Sequence, residues 1–425
     1  MDIGWEVLQF IHLTLLEMIK KWFKNIGPGA LVSAAFIGPG TVTICTLAGV
    51  GFGFNLLWAM LLSILATIVL QEMAARLGII SQRGLSEVIR SEIKNPVFRQ
   101  FVTLLILSAI VVGNASYEAG NISGGILGLE TVFGSGMLDV GFFSINMLSV
   151  FIGVIAFVLL YIGSYKFLEK MLITLVILMS ISFLVTAILT KPDIIAVLKG
   201  VFIPKFPKKS LLMIVGLIGT TIVPYNLFLH AALVKEKWKT TSDLKYARRD
   251  TIIAIGLGGL VSIAIIISAA AIQSTTISNA GNLAKSLAPL YGEFSTYFLG
   301  LGLFSAGITS AITAPLAAAY VAKGCLGWQG GLKSKRFRIV WMIILFLGVS
   351  FSSVGIKPIE IIKFAQVANG VLLPIVAGFL LWIMNKKSLL GSYINTKLQN
   401  IIGLIIVSAT LFLGLKSILK VFNLI

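Results

Sequence analysis

The chain has 425 residues, 57% hydrophobic and only 12% charged, with a mean hydropathy of +1.00. Soluble globular chains carry about 25% charged residues, so this sequence lacks the polar groups to cover a water-facing surface. Its 34 Lys and Arg against 16 Asp and Glu give a formal net charge of +18. The basic residues lie in short loops between apolar runs, a pattern that orients membrane helices and argues against a nucleic-acid partner.

Residues 1–24 set Trp5, Leu8, Ile11, Leu15 and Ile19 among polar positions and end in Lys20, Lys21 and Lys24. This predicts an amphipathic segment lying on the membrane; a basic start and a small-residue cleavage site, the marks of a cleavable signal, are missing. Apolar segments follow at approximately 28–54, 55–79, 98–127, 143–164, 166–190, 210–234, 250–275, 294–324, 338–356, 358–384 and 399–422, about eleven spans. Each is long enough to cross about 30 Å of hydrocarbon as a helix. Period-two alternation is absent from them, which excludes an outer-membrane barrel.

Loop charge predicts the orientation. Arg76, Arg83, Arg90, Lys94 and Arg99 fall on one side with Lys235, Lys237, Lys239, Lys245, Arg248 and Arg249. So do Lys333, Lys335, Arg336, Arg338, Lys386, Lys387 and the lysines before the first span, which makes that side, and the N-terminus, cytoplasmic. The loop 191–209 dissents: it carries five lysines and falls outside.

Two spans are interrupted near their centres. The first reads Ala35-Phe36-Ile37-Gly38-Pro39-Gly40-Thr41, the sixth Gly219-Thr220-Thr221-Ile222-Val223-Pro224-Tyr225-Asn226. Proline removes an amide donor and clashes with the preceding turn, and glycine lets the backbone leave helical geometry. A lone proline would be read as a kink in a packed helix. Two at matching positions of two five-helix halves instead predict an inverted-repeat transporter with unwound segments lining a cavity. Cys45 and Cys325 have no metal-ligand spacing and read as small packing residues.

At these breaks the sequence resembles a known family. The stretch GPGALVSAAFIGPGTVTICTLAGVGFGFNLLWAMLLSILATIVLQEMAARLGI, with TTIVPYNLFLHAALV in the sixth span and NGVLLP in the tenth, resembles the Nramp (natural-resistance-associated macrophage protein) divalent-metal transporters. The resemblance implies an all-α, LeuT-like fold of two inverted five-helix repeats with broken helices 1 and 6, plus helix 11. It also implies proton-coupled import of manganese or iron. The expected divisions are an N-terminal segment 1–24, a first repeat 25–190, an extracellular loop 191–209, a second repeat 210–384, and a loop with helix 11 over 385–425. The expected location is the plasma (inner) membrane of a prokaryote, the expected unit a monomer, and no cofactor is implied.

The likeness fails where the chemistry should be. The family's helix 1 carries Asp-Pro-Gly-Asn, and here the two metal-binding positions are Gly38 and Thr41. Its helix 6 carries Met-Pro-His, matched here by Val223 and Tyr225 around Pro224. The acidic pair of helix 3 is matched by Asn114 and Tyr117, with Glu118 beside them. The sequence is in these respects similar to the Nramp-related magnesium transporter branch, which works without proton coupling.

The polar groups left at the site are Thr41, Thr220, Thr221, Tyr225, Asn226, Gln366 and Asn369, with backbone carbonyls freed beside Pro39, Gly40 and Pro224. Such a site suits a hydrated magnesium-like cation, since magnesium retains several waters when bound. The alternative is a small organic solute such as an amino acid or carboxylate, which a helix N-terminus without an acidic neighbour would attract. Coupling or gating candidates are Glu118, Asn114, Tyr117, His230, Glu72 and Arg76. Against them stand structural roles: an i,i+4 ion pair for Glu72 and Arg76, a hydrogen-bonded core histidine for His230, a cross-helix bond for Asn114. With only His12 and His230 in the chain and no intramembrane aspartate pair, an enzyme is excluded, whereas a passive channel stays open as an alternative.

Overall fold

The computed structural model describes residues 37–140, 143–163, 166–272, 277 and 279–421. The amphipathic segment 1–24 and the first half of the first span lie outside the described residues. Nine apolar stretches among those described are long enough to cross a bilayer. The first, Pro39–Ser81, holds two helices, and the shorter Met147–Ile162 adds another, which together accounts for the eleven expected segments.

In chain order the helices of eight or more residues are α1 (Pro39–Phe52), α2 (Leu57–Ser81), α3 (Leu85–Glu92), α4 (Pro96–Phe133), α5 (Met147–Ile162), α6 (Lys166–Leu189) and α7 (Ile194–Phe202). They continue as α8 (Leu211–Thr221), α9 (Pro224–Lys237), α10 (Leu244–Ala270), α11 (Ser295–Leu326), α12 (Lys335–Ser353), α13 (Pro358–Ile383) and α14 (Lys397–Val421). Helix 6 of the bundle is thus α8 plus α9, while α3 and α7 are short helices between spans.

The repeat is visible in who packs on whom. Helix α1 packs on α10 and α9 on α2, so the first helix of each half meets the second of the other. The third helices, α4 and α11, cross each other, and α4 lies on α13 as α11 lies on α6. Exchanging the halves leaves these partnerships unchanged, as a pseudo-twofold requires. The direction of the chain agrees. Ile64 and Glu72 of α2 meet Gly259 and Arg248 of α10, an antiparallel pairing, whereas Cys45 and Gly49 of α1 meet Ser262 and Ile266. The sharp reversal between α1 and α2 is made by a 3-10 turn at Gly53–Leu56, where Gly53 takes φ 56°, a conformation that glycine adopts without steric penalty.

Backbones approach closely where glycine removes the side chain. Any side chain at Gly120, Gly124 or Gly128, four residues apart on α4, would run into α13, Pro39 and the Gly300 carbonyl of α11 respectively. Small residues at this spacing are how helices pack in lipid, where no hydrophobic force draws them together.

Three sequence expectations need correction. The fourth span starts at Met147 and not at 143, because Phe143–Asn146 pairs antiparallel with Met137–Val140 as a two-stranded hairpin, Met137 opposite Asn146. The third span runs from Pro96 to Phe133, 38 residues or about 57 Å, longer than the hydrocarbon it crosses. The region 76–99, expected as loop, continues α2 to Ser81 and then forms α3. In the dissenting loop 191–209, α7 exposes Ile194, Ile195, Leu198 and Phe202, and the loop is fastened by Trp58 Nε1 donating to the Lys205 carbonyl at 3.0 Å. An apolar helix flanked by lysines suits the membrane interface.

Candidate functional site

The two breaks are built by the same local device. Gly38 is extended (φ −101°, ψ −176°), and Pro39 takes the first helical position of α1. There its missing N–H is no loss and its fixed φ suits the helix. The Gly38 carbonyl is occupied, accepting from the Thr41 and Val42 amides at 3.1 and 3.2 Å. In helix 6, α8 ends at Thr221, Ile222 (φ −102°, ψ 80°) and Val223 (φ −78°, ψ 120°) leave the helix, and α9 restarts at Pro224. Pro224 has no N–H to offer the Thr220 carbonyl one turn back, and the last carbonyls of α8 lose their intrahelical donors.

The breaks meet. Thr41 Oγ1 lies 2.9 Å from Thr220 Oγ1, a buried hydrogen bond between residues 179 positions apart. Helix α13 closes the third side. A side chain at Gly40 would collide with the Gln366 amide, and one at Gly219 with the Gln366 backbone carbonyl, so Gln366 sits between the two breaks. Asn369 lies one turn further along α13, toward Gly113 of α4. Tyr117 of α4 meets Tyr225 edge to face, ring centroids 5.4 Å apart. Thr41, Thr220, Val223, Tyr225, Asn226, Gln366 and Asn369 are each at most 1% exposed.

Burying polar atoms without partners is unfavourable, by roughly 1–3 kcal/mol each, so unmatched groups mark places prepared for something else. Asn226 Oδ1, Gln366 Oε1 and Asn369 Nδ2 are buried with no hydrogen-bond partner. A half-turn of an amide exchanges its nitrogen for oxygen, so all three side chains can present an acceptor. The donor set is therefore hydroxyl and amide oxygen, neutral throughout. Among the described residues no group of three His, Cys, Asp or Glu side chains is placed to hold a metal ion. The Val223 side chain contributes only to the apolar core, and its carbonyl accepts from the Asn226 amide at 3.0 Å.

The remaining candidates fall elsewhere. Asn114 Nδ2 donates to the Ala314 carbonyl of α11 at 2.9 Å, a cross-helix bond. Glu118, fully buried, turns to α12, where a side chain at Gly348 would strike it; its carboxylate has no hydrogen bond of ordinary geometry. His230 Nδ1 is 2.9 Å from Gln71 Oε1, joining α9 to α2. Glu72 and Arg76 lie at the far end of α2: Glu72 reaches Arg76 at 3.1 Å and Arg248 of α10 at 2.8 Å. Arg76, 2% exposed, also donates to the Tyr393 carbonyl at 2.9 Å and to Asn395 Oδ1 at 2.7 Å, which pins the loop before α14.

Sequence reasoning missed one neighbour of the breaks and one of Glu118. Met60 Sδ, on α2, lies 3.6 Å from Thr221 Oγ1, a hydroxyl that donates to the Leu217 carbonyl at 2.7 Å; nothing in the spacing signalled Met60. Asn121, a turn beyond Glu118 and 2% exposed, turns its amide toward the Glu118 carboxylate, and its polarity within an apolar run was the available sign.

Helices 1 and 6 restarting at prolines, related by an inverted five-helix repeat and closed by helix 10, define an integral membrane protein of the LeuT-like fold. Residues 29–420 match the family described as Natural resistance-associated macrophage protein-like, and the chain belongs to this Nramp family. It is 28% identical over 408 residues to a protein of Caldanaerobacter subterraneus subsp. tengcongensis named divalent metal cation transporter MntH, covering 93% of each chain. A Bacillus subtilis protein of the same name is 27% identical over 402 residues, 91% of each. Its relatives are thus named as transporters, not enzymes. Among solved structures it is similar to the Eremococcus coleocola manganese transporter in complex with an aromatic bis-isothiourea substituted compound, with a TM-score of 0.73 and 22% identity over 93% of this chain and 86% of that one. It is also similar to Mhp1, a nucleobase-cation-symport-1 family transporter, with a TM-score of 0.57 and 13% identity over 93% of each. At these identities the structural likeness concerns the fold.

Proposed function

We propose that the chain is a transporter that moves a small inorganic divalent cation by alternating access, of the hydrated magnesium kind and not manganese or iron, with weak or no proton coupling. The observation that carries this reading is the neutral, oxygen-only donor set at the junction of the two breaks: Thr41 with Thr220, and the unpartnered Asn226 and Gln366 oxygens. Softer transition metals favour thioether or imidazole ligands, whereas magnesium keeps much of its water and needs oxygen around that shell. The relatives named divalent metal cation transporters support a divalent cargo. Without a carboxylate to carry protons at the site, the driving force is the membrane potential, about 2.3 kcal/mol per unit charge per 100 mV. The working unit is a monomer in the plasma membrane with its N-terminus in the cytoplasm.

One feature favours an organic solute as the second reading. Helices α1 and α9 both begin at the site, and two helix N-termini without an acidic neighbour attract a carboxylate. Titration calorimetry separates the readings. The variant Gly38→Asp, Thr41→Asn, Val223→Met should gain manganese affinity over the wild type, which should itself bind magnesium weakly and amino acids not at all. Unchanged manganese binding in the variant, or heat from an amino acid with the wild type, would contradict the cation reading.

A further inference from the structure

Away from the breaks, at the basic end of the bundle, the foot of α4 and the end of α11 enclose a cleft of about 330 Å³. Arg90, Arg99, Gln100 and Thr103 supply its polar wall, and Leu104, Leu107 and Leu326 its apolar one. Among the described residues neither Arg90 nor Arg99 forms a side-chain hydrogen bond or ion pair, although nearby arginines do: Arg83 pairs with Glu87 at 3.2 Å. Arg90 is nonetheless held in place. Its guanidinium lies against Gly327, the residue that ends α11, where a side chain would strike it. The negative end of a helix attracts a cation there without using up its capacity for a bidentate partner.

The surroundings show where that partner comes from. On the same stretch of α4, Phe98, Phe101 and Leu104 are 54%, 60% and 65% exposed, a lipid-facing strip beside the cleft. The cleft therefore sits where hydrocarbon gives way to headgroups, with two uncompensated guanidiniums on the polar side and leucines on the apolar side. We propose that this cleft seats the phosphate headgroup of an anionic phospholipid, with Arg90 and Arg99 on the phosphodiester, Thr103 and Gln100 offering hydrogen bonds, and an acyl chain lying along Leu104 and Leu107. Guanidinium matches phosphate oxygens as a planar fork, and basic pockets between membrane helices suit such headgroups.

Native mass spectrometry of the full chain, released from detergent with added phosphatidylglycerol or phosphatidylcholine, tests this. The wild type should retain phosphatidylglycerol at least tenfold more tightly than phosphatidylcholine, and the double variant Arg90→Ala, Arg99→Ala should lose about that factor. The variant Arg90→Lys, Arg99→Lys, which keeps the charge and loses the fork, should retain only part of the preference, and Leu104→Trp, which fills the apolar wall and leaves both arginines, should weaken it. Inorganic phosphate at millimolar concentration should not displace the lipid. Equal retention of both lipids, an unchanged preference in the double alanine variant, or displacement by inorganic phosphate would overturn the proposal, the last by showing a free-phosphate site.

Discussion

Thr41 and Thr220 share a hydrogen bond of 2.9 Å across the interface between the two repeats, where the helix of Thr41 begins and that of Thr220 is interrupted. Each sits beside a proline that sets its break, so the pair ties together the two places where backbone polar groups are least satisfied.

Thr41→Ala and Thr220→Ala should each weaken cargo binding and lower stability by about 1 kcal/mol, the net worth of a typical hydrogen bond. Because both substitutions remove one shared bond, the double variant should be no worse than either single one by more than a few tenths. Thermal unfolding in detergent over the double-mutant cycle measures the coupling, and full additivity would show that the two hydroxyls act separately.

Glycine positions give a sharper contrast. Gly219→Ala drives a methyl group into the Gln366 backbone carbonyl, and Gly124→Ala drives one into the Pro39 ring, with no flexible side chain to yield. Both should destabilise by about 1–3 kcal/mol and abolish uptake. Gly51→Ala, with nothing within 4 Å of the new methyl group, should be neutral or slightly stabilising. Expression level and unfolding temperature of the three variants check this order.

The Glu72 cluster should respond unevenly. Arg76 is buried among five partners, so Glu72→Gln leaves it without a carboxylate, and Arg76→Ala strips the Tyr393 carbonyl and Asn395 of their donor. Arg248, 44% exposed, contributes through a pair reached by solvent, worth about 1 kcal/mol at most. Unfolding temperatures should fall most in Arg76→Ala, less in Glu72→Gln and least in Arg248→Ala.

Glu118 separates a structural acid from a proton carrier. Its stem packs on Gly348, so Glu118→Gln should preserve substrate uptake and its dependence on membrane potential. A pH-sensitive dye inside proteoliposomes checks this; a substrate-linked acidification in the wild type that disappears in the variant would make Glu118 part of a proton path.

What the sequence revealed follows from how local each signal is. Pro39 and Pro224 act on their own turn of helix, so the helix start at the one and the interruption before the other were readable, as was the pairing of Glu72 with Arg76 one turn away. The direction of Glu118 was not: neighbours on a helix point about 100° apart, and only the packing of α12 on α4 decides that Tyr117 faces Tyr225 and Glu118 faces Gly348. Arg248 joins Glu72 across 176 positions, and Met60 meets Thr221 across 161, separations over which periodicity carries no information. The hairpin at 137–146 was hidden because Phe143–Asn146 adjoins an apolar run and reads as its beginning.

Uptake into proteoliposomes under a negative-inside potential, with magnesium and manganese compared side by side and internal pH followed, tests the neutral oxygen site most directly. Magnesium should enter with the potential and bring no protons, while manganese at micromolar concentration should not saturate the carrier. Saturable micromolar manganese uptake accompanied by proton influx would contradict the account.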